Sequence, residues 1–419
     1  MKLKNLKEGE EVNLQGFVHN FRNKGKIVFI ELRKQAEIIQ IVLEGELAEK
    51  AQGIVLEAVI SVTGVTQLQS KGELELLANS FELLSLPVEK LPIPVRVNEG
   101  ENETNLFNQQ EYRWLELRKP KNQIMLKVWT EMERSFVEFM IKEGTTQIHS
   151  PKILGAPSES GAEVFEVKYF EETAYLAQSP QFYKQMAMAA GLEKVFEIGP
   201  VFRAEKSNTY RHATEFTSYD FEMSYVKELE ELIEFEKGLL AYIFSSVKEK
   251  YGKEMFRIMG IELGEIQSKF IVLPFEEARE LIGGTEEEND FNSEEEAKLG
   301  KVALEKYGAE FIFLTEYPVS RRPFYHMRES TTKTKSFDLI YRGLEITTCA
   351  IREHRYEVLI EQAKEKEMNL ENIQFYLNFF KHGCPPHGGF CLGMERILLK
   401  LFGLENIRQV QFCIGDQRD

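Results

Sequence analysis

The chain has 419 residues, 43% hydrophobic and 29% charged, an ordinary globular composition with room for two or three domains. Its apolar runs are too short to cross a bilayer, and its first residues, MKLKNLKEGEEV, lack the apolar core of a signal peptide, so no membrane role is expected. The net charge of −16 speaks against a general nucleic-acid binder; Cys349, Cys384, Cys391 and Cys413 form no CxxC pair, which argues against a zinc site and suits a reducing, cytoplasmic setting.

Residues 9–87 read as five short alternating strands, EVNLQGFVHNF, KIVFIELR, AEIIQIVL, AVISVTGVTQL and ELELLANSFELL, interrupted by one helical stretch, GELAEKAQG. That pattern suggests an OB-fold β-barrel over 1–90. Such barrels bind single strands by stacking bases on aromatic rings beside a basic groove. The acidic excess lies downstream of it. Residues 20–35 hold Arg22, Lys24, Lys26, Arg33 and Lys34 against Glu31 alone. A local stripe of this kind matters more to a phosphate backbone than the global sum. Phe29 lies beside the stripe and Gln40 on the next strand. Spacing alone favours Phe29 as a core residue.

Pro87, Pro92 and Pro94 followed by NEGENETNLFNQQ predict a hinge over 91–118. From residue 122, Met125, Val128, Trp129, Met132, Phe136, Phe139 and Met140 fall at helical steps, and Gly144 ends the helix. A strand, TTQIHSP, follows. The next loop, SPKILGAPSESGAEVF, contains Glu159. In AYLAQSPQFYKQMAMAAG a strand runs into a helix, with Gln181 and Lys184 on one face.

Residues 196–226, FEIGPVFRAEKSNTYRHATEFTSYDFEMSYV, read as two strands joined by a polar loop. Arg203 and Arg211 stand at the two ends of that loop, with Glu205 and His212 beside them. Two guanidinium forks so placed can grip a polyphosphate from both sides. Phe216 can offer its ring to a flat base, and Asp220 follows on the same strand. A solvated charged hairpin is an equal reading of this stretch alone. Residues 227–310 look like a helical insertion, and its acidic run EEENDFNSEEE lacks calcium-loop spacing and reads as solvated surface. In SFDLIYRGLEITTCAIR, Asp338 and Glu345 with the Thr348 hydroxyl can hold Mg²⁺, although strand-end acids are the simpler reading. In GCPPHGGFCLGMERILLKLFGLENIRQV, Gly388, Gly389 and Gly393 permit close approach of a ligand, and Arg396 opens a helix.

Three of these stretches resemble, in order, the motifs of class II aminoacyl-tRNA synthetases. The helix, strand and Pro151 resemble motif 1. FRAE…RHATEF…DFEM resembles motif 2, and the glycine-rich end resembles motif 3. The similarity runs over about residues 10–412 and is strongest to the archaeal/eukaryotic-type aspartyl branch of the aspartate/asparagine subgroup. No HIGH or KMSKS sequence occurs. The resemblance implies an α+β chain: an OB-fold anticodon-binding domain over 1–90, then a catalytic antiparallel sheet flanked by helices over 119–419. It implies a homodimer that activates L-aspartate with ATP and Mg²⁺ and charges tRNA(Asp).

The same resemblance assigns roles. Arg203 meets the α-phosphate of ATP, Arg211 and His212 the γ-phosphate end, Phe216 and Arg396 flank adenine, and Glu205 belongs to the same ATP-binding set. Asp338, Glu345 and Thr348 hold the metal. Glu159 meets the α-ammonium group. Gln181, Lys184, Asp220 and Arg352 bind the amino acid, with Lys184 and Arg352 facing its side-chain carboxylate. Phe29 and Gln40 meet anticodon bases. His19 stands where archaeal-type relatives with relaxed specificity carry histidine and strict ones tryptophan, which implies that tRNA(Asn) is charged too. The chain departs from the family at TTCAIR, at Cys391 and at its QFCIGDQRD end. Cys349 is therefore expected to narrow the substrate pocket. These departures leave open a paralogue with an altered amino acid (asparagine) or acceptor, or an OB-type nucleic-acid-binding protein with an inactive catalytic domain.

Overall fold

The computed structural model describes residues 3–70, 72–96, 104–156, 164–205, 209–266, 269–284 and 290–413. The chain divides into two compact units, Met1–Lys127 with Glu254–Gly260, and Val128–Lys253 with Ile261–Asp419.

The first unit holds a closed barrel of β1 (Glu11–Asn23), β2 (Ile27–Lys34), β3 (Glu37–Glu44), β4 (Val59–Leu68) and β5 (Leu74–Ser85), in the order β1-β2-β3-β5-β4. A short helix, α1 (Glu46–Lys50), lies between β3 and β4. Alternation builds the barrel: in β1, Val12 and Leu14 are buried while Glu11, Asn13 and Gln15 are exposed. Leu14, Ile30, Leu32, Ile41, Ile60 and Leu76 share one fully buried core. This is the OB-fold barrel that the strand pattern predicts. The stretch expected to be a hinge carries two short helices, α2 (Leu106–Glu111) and α3 (Arg113–Glu116), and a small cluster of Ile93, Val95 and Leu115.

The division between the units falls within α4 (Pro120–Lys142), which buries Val128, Met132, Phe136 and Met140 as the helical spacing predicts. The second unit continues with β6 (Thr146–Gln147), β7 (Ile153–Leu154), β8 (Glu166–Tyr169), β9 (Glu172–Leu176), α5 (Gln181–Ala189), β10 (Lys194–Phe202), β11 (Glu215–Ser224) and α6 (Leu229–Met259). Then come β12 (Phe270–Pro274), α7 (Phe275–Leu281), α8 (Ser293–Tyr307), β13 (Phe311–Thr315), β14 (Ser336–Tyr341) and β15 (Glu345–Ile351). The chain closes with α9 (Tyr356–Glu365), α10 (Gln374–Phe380), β16 (His387–Leu392) and α11 (Met394–Leu401). Eight strands form one sheet, β12-β13-β14-β15-β16-β11-β10-β6, parallel only at β12–β13 and β10–β6. Residues 227–310 are not a helical appendage. α6 packs on the sheet and β12 extends its edge, because the run FIVLP is apolar and pairs with FIFLT of β13.

Register sets what each face carries. Residues directly opposite across antiparallel strands point to the same side. Phe196, Phe221, Phe390, Cys349 and Phe337 are successive partners across five strands and form the back row. α6 covers it, with Phe235 stacked on Phe221 at 4.2 Å. Each strand's neighbouring residue points the other way, giving a front row of Glu197, Asp220, Cys391, Thr348 and Asp338.

Cys349 therefore lies in the back core and not in a substrate pocket, which corrects the expectation drawn from the TTCAIR departure. Cys349→Gly opens a void under α6 and adds backbone freedom to a strand. It is expected to lower stability by about 1–3 kcal/mol while leaving Michaelis constants within about twofold. Thermal unfolding beside steady-state kinetics checks this; a Michaelis constant that drops with unchanged stability would put the side chain at the substrate.

Glu236 of α6 is buried behind the same sheet. One carboxyl oxygen accepts the Thr347 hydroxyl at 2.6 Å, and the other has no hydrogen-bond partner among the described residues. Burial pushes its pKa from 4.5 up to about 8. A raised carboxyl binds its proton more tightly in the folded chain, so its stabilisation is full below 4.5 and is lost as pH rises through about 8. Unfolding midpoints measured between pH 5 and 9 should fall less steeply in Glu236→Gln than in the parent. Identical slopes would show that Glu236 is ionised in the fold.

Candidate active site

The front row, the β10–β11 connection and the start of α11 enclose an open pocket of about 720 Å³, mouth included. Arg203, Glu205, Arg211, His212, Phe216, Glu345 and Arg396, all singled out from sequence as nucleotide-binding, line it together. Each arginine has a carboxylate within reach. Arg203 lies 3.9 Å from Glu205, and its guanidinium stands over the Phe216 ring at 5.5 Å. Arg211 lies 2.6 Å from Glu296. Arg396 donates to the Glu345 backbone carbonyl at 2.9 Å and to its carboxylate at 3.2 Å. Phe216 and Arg396 thus present a ring and a planar cation to the same space, the two surfaces that a flat base stacks on.

His212 sits 2.7 Å from the Thr209 hydroxyl. Burial, and then the charges of Arg396 and Arg211, push its pKa down to about 4. At neutral pH it is an uncharged imidazole, a hydrogen-bonding group rather than a third cation. Glu395, in the first turn of α11, accepts the Thr217 N–H at 3.1 Å, and burial pushes its carboxyl up to about 7.

Beside this pocket lies a buried ion cluster. α5 places Lys184, wholly buried, 2.7 Å from Asp220 and 3.4 Å from Glu222. Arg352 meets Glu222 through Nε at 2.9 Å and Nη2 at 3.3 Å, donates to the Gly389 carbonyl at 2.8 Å, and approaches His326 Nε2 at 3.1 Å. A guanidinium only donates, so His326 Nε2 accepts. Burial alone would neutralise Lys184, but Asp220 and Glu222 outweigh it and raise its pKa; Arg352 and Lys184 likewise hold Glu222 below the usual carboxylate range against burial. All are charged. Gln181 is buried with them and donates to Gln185 at 3.2 Å. The two expected cations do come together, and the Glu222 carboxylate touches both.

Gly389 of the end motif serves this cluster, and Gly388 serves the packing of α6 on the other face. A Cβ at Gly389 would lie 2.1 Å from the Phe221 carbonyl and 2.5 Å from the Glu222 carboxylate; one at Gly388 would meet Leu232 at 2.9 Å. Gly388 and Gly389 thus make room for internal groups, whereas Gly393 lines the open pocket.

Of the three expected metal ligands, Glu345 and Thr348 line the pocket, with the hydroxyl 3.4 Å from the carboxylate. Asp338, the register partner of Thr348 on the same face, accepts from Arg322 at 2.8 Å. Burial pushes the Asp338 carboxyl up to about 6; Arg322 opposes this, and the charge of Glu345 adds to it. Among the described residues, no group of three or more His, Cys, Asp or Glu side chains could hold a metal ion. Glu159 lies outside the described residues.

Sequence reasoning missed Glu222, Glu296, Glu395 and Arg322. For Glu222 a signal was present: it follows Asp220 by two positions on a strand, so both must share a face. Glu296 was assigned to solvent with its acidic run; it is 3% exposed.

On the barrel, Phe29 is half-buried and outside the core, with Arg22 and Lys24 at 5.9 and 5.8 Å from its ring centre. Arg22 also donates to Gln40 at 3.3 Å, so these groups form one basic, aromatic face. Arg33 does not join it. It is 1% exposed and pairs with Glu57 at 2.6 and 2.7 Å. His19 occupies the bulge where the β1–β2 register slips between Val18 and Asn20, and its ring lies 2.9 Å from Arg33. It is 9% exposed, held uncharged by burial and then by Arg33, and does not present itself to a base.

Residues 105–413 match the family described as tRNA synthetases class II (D, K and N), and residues 12–84 match the OB-fold nucleic acid binding domain. An aspartate–tRNA(Asp/Asn) ligase from Aeropyrum pernix is 40% identical over 97% of this chain and 95% of that protein. An aspartate–tRNA(Asp) ligase from Pyrococcus abyssi is 38% identical over 98% and 96%. The asparaginyl-tRNA synthetase of Pyrococcus horikoshii, solved with asparaginyl-adenylate, superposes with a TM-score of 0.88 at 29% identity, over 98% of this chain and 96% of that one. With more than half its length matched to the family and relatives of this identity along almost all of it, the chain belongs to the class II tRNA synthetases of the D, K and N group.

Proposed function

We propose that the protein activates L-aspartate with ATP in the second unit and transfers it to tRNA(Asp), with residues 1–90 as the anticodon-binding domain and 119–419 as the catalytic domain of a cytoplasmic homodimer. The observation that carries this is the Lys184–Asp220–Glu222–Arg352 cluster beside a pocket of paired arginines and Phe216. Asp220 and Cys391, neighbours in register, belong to the cluster and to the pocket wall respectively.

The chemistry follows from charge. An oxygen of the aspartate α-carboxylate attacks the α-phosphorus of ATP, and pyrophosphate leaves. No covalent enzyme intermediate is needed; positioning and charge neutralisation lower the barrier. Arg203 meets the charge growing on the α-phosphate. Phe216 and Arg396 hold adenine. Arg211, with the neutral His212 as a hydrogen-bond partner, receives the terminal phosphates. Glu345 and Thr348 would hold Mg²⁺, with Asp338 behind them; a cation there fits the mutual repulsion that helps raise Asp338. When bound, that ion supplies positive charge to the leaving pyrophosphate. The terminal ribose hydroxyl of tRNA then attacks the aspartyl carbonyl, and AMP departs.

Aspartate is favoured over asparagine because its side-chain carboxylate can share the donors of Lys184 and Arg352, whereas an amide brings its own donors against them. Amino-acid-dependent ATP–pyrophosphate exchange should favour aspartate by about a hundredfold or more. Comparable exchange with asparagine would overturn the assignment.

We further propose that tRNA(Asn) is aspartylated as well. The A. pernix relative, named for both tRNAs, favours this. His19 contributes by packing: the imidazole fits beside the Arg33–Glu57 pair, and an indole would displace that pair and reshape the barrel face around it. Aminoacylation of both unmodified transcripts should agree within about tenfold, and His19→Trp should depress tRNA(Asn) charging selectively. A preference of the parent for tRNA(Asp) above about a hundredfold, roughly 2.7 kcal/mol, would sink the idea.

A further inference from the structure

Helix α8 begins inside the acidic run, and three successive glutamates there behave differently. Glu294 is exposed. Glu295 accepts the Asn292 N–H at 2.8 Å, completing a capping box, and pairs with Arg279 at 2.6 Å. Glu296 is buried behind Arg211 and Glu345, two residues that line the pocket. One of its oxygens lies 2.6 Å from Arg211 Nη1, and the other accepts the Glu345 backbone N–H at 3.0 Å.

Close backbone packing brings it there. A Cβ on Gly300 would lie 2.4 Å from the Gly343 nitrogen, and one on Gly343, at φ +74°, would lie 2.8 Å from Ala297 Cα. The two glycines let α8 press directly onto the β14–β15 turn. Glu296, four residues before Gly300, shares that side of the helix and reaches the first residue of β15. Arg211 lies in the β10–β11 connection, outside the strand ladder, so this ion pair is what fixes its direction.

We propose that Glu296 is a positioning residue for the nucleotide. It ties Arg211 to the start of β15, so that the Arg211 guanidinium and the Glu345 carboxylate enter the pocket at a fixed spacing. It acts through Arg211 and touches no substrate. The inference rests on reading this pocket as the ATP site.

The test is steady-state exchange kinetics on the full chain for Glu296→Gln, Arg211→Gln and the double variant. Glutamine keeps the shape and an acceptor for the Glu345 N–H but loses the charge that holds Arg211. Glu296→Gln, assayed well below its own unfolding midpoint, should raise KM for ATP by about tenfold with KM for aspartate unchanged. In the Arg211→Gln background the same change should have almost no further effect, because the two act as one unit. Additive losses, or parallel rises in both KM values, would overturn the proposal. If Glu296→Gln fails to fold, Glu296→Asp, which keeps the charge and retracts it by one methylene, is read the same way. If Arg211→Gln alone leaves KM for ATP unchanged, the pocket reading itself has failed, and that outcome is distinct from additivity.

Discussion

The site depends on the register of four adjacent strands, β14, β15, β16 and β11. Because directly opposed residues share a face, one slip of a residue would send Asp220, Cys391 and Thr348 into the aromatic core and bring Phe221, Phe390 and Cys349 out to the pocket. The back row makes that slip costly. Four phenylalanines and a thiol are buried in line, and each aromatic ring removes a large apolar area from water. The core thereby fixes where the polar groups stand. The front face is polar because the back face is apolar, and hydrogen bonding alone could not choose between the two registers.

The ion cluster on that front face is a weak source of stability. Removing charges from water costs several kcal/mol per ion, roughly what their mutual attraction returns, while deleting one member of such a pair costs about 3–5 kcal/mol. Lys184, Asp220, Glu222 and Arg352 match two positive charges with two negative ones, and the backbone carbonyls of Phe390 and Gly389 take further donors. The result is a site whose cations stay charged and aimed although buried. Gly389 belongs to this arrangement, since any side chain there would occupy the space of the Glu222 carboxylate.

Most of the barrel was legible in the sequence because a half-buried strand writes its two faces as alternation, as β1 does with Val12 and Leu14 against Glu11, Asn13 and Gln15. The grouping of the pocket residues was legible because they lie within three short stretches of distinctive composition. What escaped were partners supplied from far along the chain. Arg33 looked like part of a basic stripe because nothing local shows that Glu57 will meet it. Glu296 looked solvated because its neighbours are acidic, although Asn292 and Glu295 already spell a capping box and hence a helix with an inner side. Cys349 looked like a pocket residue because a glycine-like position suggests closeness to a ligand; the alternation of β15 assigns it to the opposite face.

The paired arginines carry a consequence for binding. Arg203, Arg211 and Arg396 crowd one open pocket, and like charges at such spacing repel. Glu205, Glu296 and Glu345 offset them one by one, at 3.9, 2.6 and 3.2 Å. The three pairs differ in how fixed they are. Glu296 is closed off and anchored to backbone, so Arg211 is held in place whether or not an anion arrives. Arg203 is 40% exposed, and Glu205 stands at the edge of ion-pair range, so that pair contributes little by itself. On the reading proposed above, Arg211 faces the end that leaves as pyrophosphate, while the α-phosphorus exchanges its bond to that group for one to the aspartate carboxylate. A fixed cation at the leaving end needs no reorganisation as charge develops there, and that pre-set arrangement is where electrostatic catalysis gains most.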